Sequence, residues 1–148
     1  MSPWTALLES LHSALIDEVT DRHPDPKPEL GLPKRQSQFA FPASDVPTTL
    51  WLEVTFTTAA GASKGAAMLA FQPGFLKDLK LKTSQQLWEA MLKRAGSEFA
   101  RRQIQPVFGG LSELASSSPV PKELGALPRI VWIPIKLPGG DCYFGIAA

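Results

Sequence analysis

Residues 49–79, TLWLEVTFTTAAGASKGAAMLAFQPGFLKDL, decide the fold of this chain. The first part, 49–57, alternates apolar and more polar side chains with a period of two, which is typical of a strand with one face in the core. The apolar side chains on that face are Leu50, Leu52, Val54 and Phe56. The small, glycine-containing stretch 59–65 predicts a loop, and 66–71 predicts a second strand, so the two strands form an antiparallel hairpin.

Two helices are predicted after this hairpin. Phe75, Leu76 and Leu79 indicate a short one, and a long one is predicted over 84–103. Thr83-Ser84-Gln85-Gln86 before the long helix has the form of a capping box. Its apolar side chains form one stripe at helical spacing, Leu87, Trp88, Met91, Leu92, Ala95 and Phe99. Gly96 lowers helix propensity by about 1 kcal/mol relative to Ala, so we expect close packing at that position.

The C-terminal segment repeats the hairpin pattern. Residues 129–137, RIVWIPIKL, are apolar and β-branched and predict a strand; a tight turn at 138–141 leads to a returning strand over 142–147. Pro134 inside the first of these strands predicts an edge position or a bulge. The segment 107–128 is ambiguous, and we expect one short strand and a loop there.

The N-terminal segment predicts an amphipathic helix over 2–20. Its buried face is formed by Trp4, Leu7, Leu8, Leu11 and Leu15. Ser2 suits the N-cap, Pro3 suits the first helical position, and the pair His23-Pro24 ends the helix. The three prolines of 25–34 predict an extended connector without regular hydrogen bonding, and 38–41 is expected to form a short edge strand.

Together these elements predict an α+β fold in which two long helices pack on an antiparallel sheet. Each half of the chain is roughly a helix followed by a hairpin, which suggests a repeat. The length of 148 residues suits a single domain covering 1–148.

Composition narrows the function classes. The chain has 15 Lys and Arg residues against 14 Asp and Glu residues, so its net charge gives no reason to expect a nucleic acid or a membrane as partner. No apolar run approaches the roughly 18 residues of a membrane span, and the N-terminus lacks the pattern of a signal peptide. The single cysteine, Cys142, forms no internal disulfide. We therefore expect a soluble, cytoplasmic protein.

Residues with metal-binding or nucleophilic chemistry are sparse. We interpret His12, with Glu9 and Asp17 nearby in sequence, as part of a solvated helix face and not as a metal site. Cys142 is interpreted as a buried apolar residue of a strand. The glycines of 61–65 lack the pattern of a phosphate-binding loop. No metal or cofactor is expected.

The segment 77–102 is the most basic part of the chain, with seven Lys and Arg residues against three acidic ones. On a helix, Arg94, Glu98 and Arg102 share one i, i+4 row, which predicts a ladder of surface ion pairs. The positive face is either a solvated helix exterior or a surface for an acidic protein or RNA. Aromatic residues are not interleaved with these charges, which disfavours single-stranded nucleic acid.

Three stretches together resemble the CheC/CheX-type phosphatases of bacterial chemotaxis, whose fold is shared by the middle domain of the flagellar switch protein FliM. Residues 50–79 are similar to that family's strand, glycine, strand and short helix. EAMLKRAGSEFARRQI (89–104) resembles the helix that carries a Glu-x-x-Asn motif, and IVWIPIKLPGGDCYFGIA (130–147) resembles the closing hairpin. The resemblance covers most of the chain from residue 50 onward.

The resemblance implies a site on the long helix. In such phosphatases the Glu contacts the phosphorylated response regulator, and the Asn orients the water that attacks the aspartyl phosphate. Glu98 stands at the Glu position and is the catalytic candidate. Arg101 stands at the Asn position and Arg94 at the upstream acidic or Ser position, so both depart from the family pattern. An arginine accepts no hydrogen bond and cannot hold a water as an amide does, although it can bind a phosphoryl group.

The leading hypothesis is a CheC/CheX-like signalling domain that contacts a phosphorylated receiver domain or a motility protein through Glu98, Arg101, Arg102 and Arg94, without standard phosphatase activity. One alternative is an active phosphoaspartate phosphatase that uses Glu98 with a different water-positioning group. Another is an unrelated small-ligand domain with a pocket lined by Trp51, Trp88 or Trp132, although core packing is expected for each tryptophan. The sequence is compatible with a homodimer and does not determine the oligomeric state.

Overall fold

The computed structural model describes residues 2–148. Helices and strands are interspersed along the chain, and the strands form a single antiparallel sheet. The helices are α1 (Pro3–Arg22), α2 (Gly74–Asp78), α3 (Ser84–Arg101) and α4 (Lys122–Gly125). The strands are β1 (Glu29–Leu30), β2 (Lys34–Gln36), β3 (Thr48–Thr58), β4 (Gly61–Phe71), β5 (Val107–Phe108), β6 (Ser112–Ala115), β7 (Ile130–Leu137) and β8 (Gly140–Ala147). The predicted α+β class is confirmed.

The sheet is organised around the pairing of β4 with β8. Its strand order is β1-β7-β8-β4-β3-β5, with β2 also on β7 and β6 also on β3. The central pair runs from Ala66 opposite Ala147 to Phe71 opposite Cys142. Both hairpins are tight, because Thr58 faces Gly61 in one and Leu137 faces Gly140 in the other. The predicted loop of 59–65 is therefore only two residues long, and most of that stretch extends β4.

The two halves of the sheet have matching topology on either side of the β4–β8 pair. In each hairpin the returning strand begins with a glycine of positive φ, 121° at Gly61 and 157° at Gly140. The edge strands are exchanged between the halves, since β1 and β2 pair with β7, whereas β5 and β6 pair with β3. This arrangement confirms the repeat of a helix followed by a hairpin.

The helix termini follow local rules. Ser2 Oγ accepts a hydrogen bond from the Trp4 backbone N–H at 3.1 Å and caps α1. Thr83 and Gln86 form the predicted capping box of α3. Helix α1 ends two residues later than predicted, at Arg22, and α3 ends at Arg101, where the chain turns through a positive φ of 56° at Gln103.

Apolar side chains are buried on both faces of the sheet. Helices α1, α2 and α3 cover one face, and the core beneath them includes Leu7, Leu11, Leu15, Phe75, Leu87 and Met91 together with Leu50, Leu69 and Phe144 of the sheet. A second core covers the other face and includes Phe39, Val46, Trp51, Met68, Leu124 and Trp132. The Trp51 face of β3 is consequently buried as well, by the segment 37–47 and α4.

Two predictions for the segment that follows the N-terminal helix are wrong, the extended connector over 25–34 and the edge strand over 38–41. The proline-containing segment 25–34 holds β1 and the start of β2, because Pro28 and Pro33 lie just outside the two strands and leave their backbone groups free to pair with β7. Residues 38–41 form no strand. Phe39 is buried in the second core instead, with its ring centroid 6.3 Å from that of Trp132.

Pro134 lies beside a bulge. Leu30 faces Ile135, the Gly31 N–H donates to the Pro134 carbonyl at 2.9 Å, and Lys34 faces Trp132. Leu32 and Pro33 together therefore occupy the space opposite a single residue, Ile133. Strand β7 is not itself an edge strand, and the irregularity expected at Pro134 lies in its β1–β2 neighbour.

The ambiguous segment 107–128 holds more structure than predicted, namely β5, β6 and α4. The opposite edge of the sheet also has a bulge here. The Gly109 N–H donates to the Glu53 carbonyl at 2.8 Å and Ser112 faces Trp51, so Gly110 and Leu111 together lie opposite Leu52.

The turn of the C-terminal hairpin is held against α2. The Gly139 N–H donates to the Asp78 carboxylate at 2.6 Å, and a Cβ on Gly74 would overlap the Gly139 carbonyl oxygen. Gly96 differs, because a Cβ there would meet nothing within 4 Å. The close packing expected at Gly96 is absent, whereas Gly74 and Gly139 at this turn are in tight contact.

We expect Gly74→Ala to lower the free energy of unfolding by about 1–3 kcal/mol, since the methyl group must displace the backbone of the turn. Gly96→Ala is the matched control and should raise it by up to about 1 kcal/mol, because helix propensity improves without a clash. Urea unfolding followed by circular dichroism measures both. Equal effects of the two substitutions would contradict this packing.

Candidate functional site

The four predicted contact residues lie near the C-terminal half of α3. Arg94, Glu98 and Arg101 belong to the helix and Arg102 is its C-cap. The opposite side of the helix is anchored in the core by Leu87, Trp88, Met91 and Ala95. This burial fixes the rotation of α3, so the charged side chains lie at the surface and along the seam with α1.

Glu98 is the centre of one ion-pair cluster. Its Oε2 accepts a hydrogen bond from the Arg101 guanidinium at 2.6 Å and another from Arg102 Nε at 3.4 Å. Arg102 also pairs with Glu9 of α1. We call Glu9, Glu98, Arg101 and Arg102 the Glu98 cluster. The hydrogen bond from Arg101 and the positive charges of both arginines hold the pKa of Glu98 below its ordinary value.

Arg94 joins a different cluster. The predicted ladder from Arg94 to Glu98 does not form, because the Arg94 guanidinium reaches α1 and pairs with Glu18 and Asp21. Glu18 also accepts a hydrogen bond from Arg22 Nε at 2.9 Å. Burial by itself would raise the pKa of Glu18, but the hydrogen bonds and charges of Arg94 and Arg22 outweigh it and lower that pKa. We call Glu18, Asp21, Arg22 and Arg94 the Arg94 cluster.

The clusters are related by the internal repeat. Glu18 and Arg22 of α1 recur eighty positions later as Glu98 and Arg102 of α3, in step with the core positions Leu7 and Leu87. The two copies differ in access: the Glu18 side chain is 10% exposed, whereas the Glu98 side chain is 31% exposed. Arg94 covers Glu18 in the α1 copy, which we call closed. Glu98 in the α3 copy stays accessible to solvent, and we call that copy open.

The sequence did not predict a role in the site for the α1 residues of these clusters, which are Glu9, Glu18, Asp21 and Arg22. The signal that was available is the recurrence of Glu and Arg four residues apart in both helices. This recurrence indicates paired sites only if the two helices are known to occupy equivalent positions in the fold.

The Glu98 cluster presents both a cation and an anion to solvent. Arg101 is the most exposed member, with 65% of its side chain accessible, and it bonds only to Glu98 among the residues described. A guanidinium with free donors is chemically suited to bind a carboxylate or a phosphoryl group. No member of the cluster carries an amide that both donates and accepts hydrogen bonds.

The fold of the whole chain resembles solved structures of one known fold. The CheC-like superfamily protein of Shewanella sp. PV-4 superposes with a TM-score of 0.68 at 8% identity, covering 96% of each chain. CheX in the CheX–CheY–BeF3–Mg complex of Borrelia burgdorferi gives 0.57 at 10% identity, covering 95% of this chain and 96% of that one. The FliM middle domain of H. pylori gives 0.54 at 9% identity over 98% and 90%.

The chain has the CheC/CheX fold. No protein-family model matches the sequence, and a comparison with curated proteins finds no match either. The likeness to CheC, CheX and FliM is therefore carried by the three-dimensional arrangement.

Within this CheC/CheX fold, His12 of α1 points inward. Its ring lies over Phe144 of β8, with centroids 6.1 Å apart, and its buried Nε2 has no hydrogen-bond partner. The expected solvated position of His12 is thus wrong. Residues 2–148 contain no cluster of three or more His, Cys, Asp or Glu side chains able to hold a metal ion. Cys142 is fully buried as predicted, and desolvation raises the pKa of its thiol.

The tryptophans serve as core residues. Trp51, Trp88 and Trp132 are each 9% exposed or less, which confirms the expected packing. The concavity beside Trp51 measures about 300 Å³ and is also lined by Glu53, Gly109, Gly110 and Glu123, so its rim is acidic. A second concavity of about 220 Å³ lies between β3 and α2 and includes Leu50, Phe71 and Leu76. Neither contains a residue of the Glu98 cluster.

None of the helices within residues 2–148 combines the length and the apolar character that a membrane crossing requires.

His12 should make the stability of the CheC/CheX fold depend on pH. Burial lowers the pKa of His12, so near its ordinary value of 6.5 the unfolded chain binds more protons than the folded chain. We expect the free energy of unfolding to fall as the pH drops from about 7 to 5. Chemical denaturation across that range measures this slope.

His12→Leu should reduce the slope, because it removes the buried imidazole whose Nε2 has no hydrogen-bond partner. An unchanged slope in His12→Leu would show that other groups set the acid sensitivity of the chain.

Proposed function

We propose that this chain is a signalling domain that binds a receiver domain or a motility component through the Glu98 cluster, in the cytoplasm. The observation that carries the proposal is the exposed Arg101 guanidinium held beside the Glu98 carboxylate on a rigid helix. A relative of the same fold, CheX of Borrelia burgdorferi, forms a complex with CheY. The shared fold, at 10% sequence identity, supports a receiver domain as the class of partner.

The charges of the cluster suit such a partner. Glu98 is ionised at neutral pH, because its arginine neighbours lower its pKa, and it can accept a hydrogen bond from the partner. Arg101 supplies donors for an anionic group on the partner's surface. Arg94 is already paired with Glu18 and Asp21, so the proposed contact surface consists of Glu98, Arg101 and Arg102.

We propose that this contact proceeds without standard dephosphorylation. A water that attacks an acyl phosphate must be held by a group that accepts its proton or its hydrogen bond. Arg101 offers only donors and stays protonated, so it stabilises the phosphoryl charge without orienting the water.

Binding is tested by titrating receiver domains of the host, with and without beryllium fluoride and magnesium, against the full chain by isothermal titration calorimetry. We expect micromolar affinity for at least one receiver, and at least a tenfold loss in Glu98→Ala and in Arg101→Ala. Lys93→Ala, an exposed cation on α3 outside both clusters, should bind like the wild type. Absence of micromolar binding to every receiver would refute the proposal.

A phosphatase remains the second candidate, because Glu98 is accessible in this chain. Phosphate release from a phosphorylated receiver separates the two functions. We expect the wild type to leave the rate of release unchanged, and Arg101→Asn to increase it by supplying the amide. Rapid release by the wild type that Glu98→Ala abolishes would establish the phosphatase instead.

A further inference from the structure

An exposed apolar bulge beside cations and a concavity with an acidic rim lie on opposite edges of the sheet. The first is the bulge between β1 and β2, where Leu32 is 87% exposed and Leu30 is 57% exposed. The backbone there is restrained by Pro28 and Pro33, and Gly31 lies so close to β7 that an added Cβ would be 2.9 Å from Pro134 Cβ. The exposed Leu32 therefore lies in a short connection that is restrained at both ends by the pairing of β1 and β2 with β7.

Cations follow this bulge directly. Lys34 and Arg35 are exposed and form no ion pair within residues 2–148. The acidic residue on the same edge, Glu29, lies opposite Lys136 across β1 and β7. The surroundings of Leu32 consequently carry a net positive charge. We call residues 30–35 the Leu32 bulge.

The second feature is the concavity of about 300 Å³ beside Trp51, which we call the Trp51 concavity. It forms where β5 and β6 are separated by their own bulge and where Gly109 and Gly110 place no side chain over the sheet. Its acidic residues, Glu53 and Glu123, have no ion-pair partner within residues 2–148. The concavity thus joins an aromatic floor to a negative rim.

We propose that the chain associates with itself head to tail, with the Leu32 bulge of one copy seated in the Trp51 concavity of the next. The leucine side chain would be buried against the indole. Lys34 lies opposite Trp132, on the face of the sheet that also holds Trp51, and would face Glu53 and Glu123. Apolar burial favours the contact and the opposite charges orient it. Flat sheet edges can associate by backbone pairing between strands, but both edges here are bulged. The contact between copies would therefore be made by the Leu32 side chain and not by strand pairing.

This interface is heterologous, because the two contributing surfaces lie on opposite edges of one sheet. Such contacts generate open chains, or rings where the rotation closes, and not an isologous dimer. The Glu98 cluster lies on α1 and at the end of α3, which cover one face of the sheet, whereas Trp51 belongs to the core on the other face. An assembly of this kind would present several copies of the proposed receiver-binding face together.

Sedimentation velocity of the full chain, at concentrations from about 10 μM to 1 mM, tests the proposal. The wild type should show a sedimentation coefficient that rises with concentration. Leu32→Glu removes the bulge contact, and the double variant Glu53→Lys/Glu123→Lys reverses the rim. Each should weaken self-association at least tenfold, whereas Val107→Glu, a similarly exposed apolar position on β5, should not.

Mixing the Leu32→Glu and Glu53→Lys/Glu123→Lys variants gives the sharpest readout. One intact bulge and one intact concavity remain, so the mixture should form a heterodimer that grows no further. Circular dichroism establishes that each variant is folded. A wild type that stays monomeric, a mixture without heterodimer, or equal weakening by Val107→Glu would overturn the proposal. These outcomes are independent of receiver binding.

Discussion

The antiparallel pairing of β4 with β8 is the contact on which the rest of the structure depends. It joins the N-terminal and C-terminal hairpins over residues 66–71 and 142–147. Each hairpin then receives the edge strands of the other half, so neither half completes its part of the sheet alone. The pairing demands small residues where elements cross closely: a Cβ on Gly145 would meet both Trp132 and Met68, and one on Gly65 would meet Trp4.

The same pairing brings α1 and α3 side by side and thereby creates the candidate site. Two equivalent Glu–Arg pairs result, one on each helix, but a single side chain makes them unequal. Arg94 crosses from α3 and pairs with Glu18 and Asp21, which fastens the helices together on that side. On the other side Arg102 makes the crossing to Glu9, and this leaves Arg101 and part of Glu98 in solvent. The Glu18–Arg22 pair of α1 thus helps to hold the two helices together, whereas the Glu98–Arg102 pair of α3 stays accessible to a partner.

Features with a local cause could be predicted from the sequence. The capping box at Thr83, the period of two in β3 and the helical stripe from Leu87 to Ala95 depend on neighbours in the chain. Features with a distant cause could not. The two-residue strand β1 exists because β7 lies next to it, and Phe39 is buried by Trp132, almost a hundred positions away. Arg94 likewise has its partners on α1, so helical spacing alone assigned it to the wrong neighbour.

We propose that the open Glu98 cluster, and not the closed Arg94 cluster, binds the partner. Backbone amide chemical shifts of the isotopically labelled chain, followed while a receiver domain is added, test it most directly. We expect the largest changes around residues 98–104 and the adjoining part of α1 at Glu9, with little change at Glu18. Shifts concentrated at the Trp51 concavity, or at Glu18 and Asp21, would contradict it.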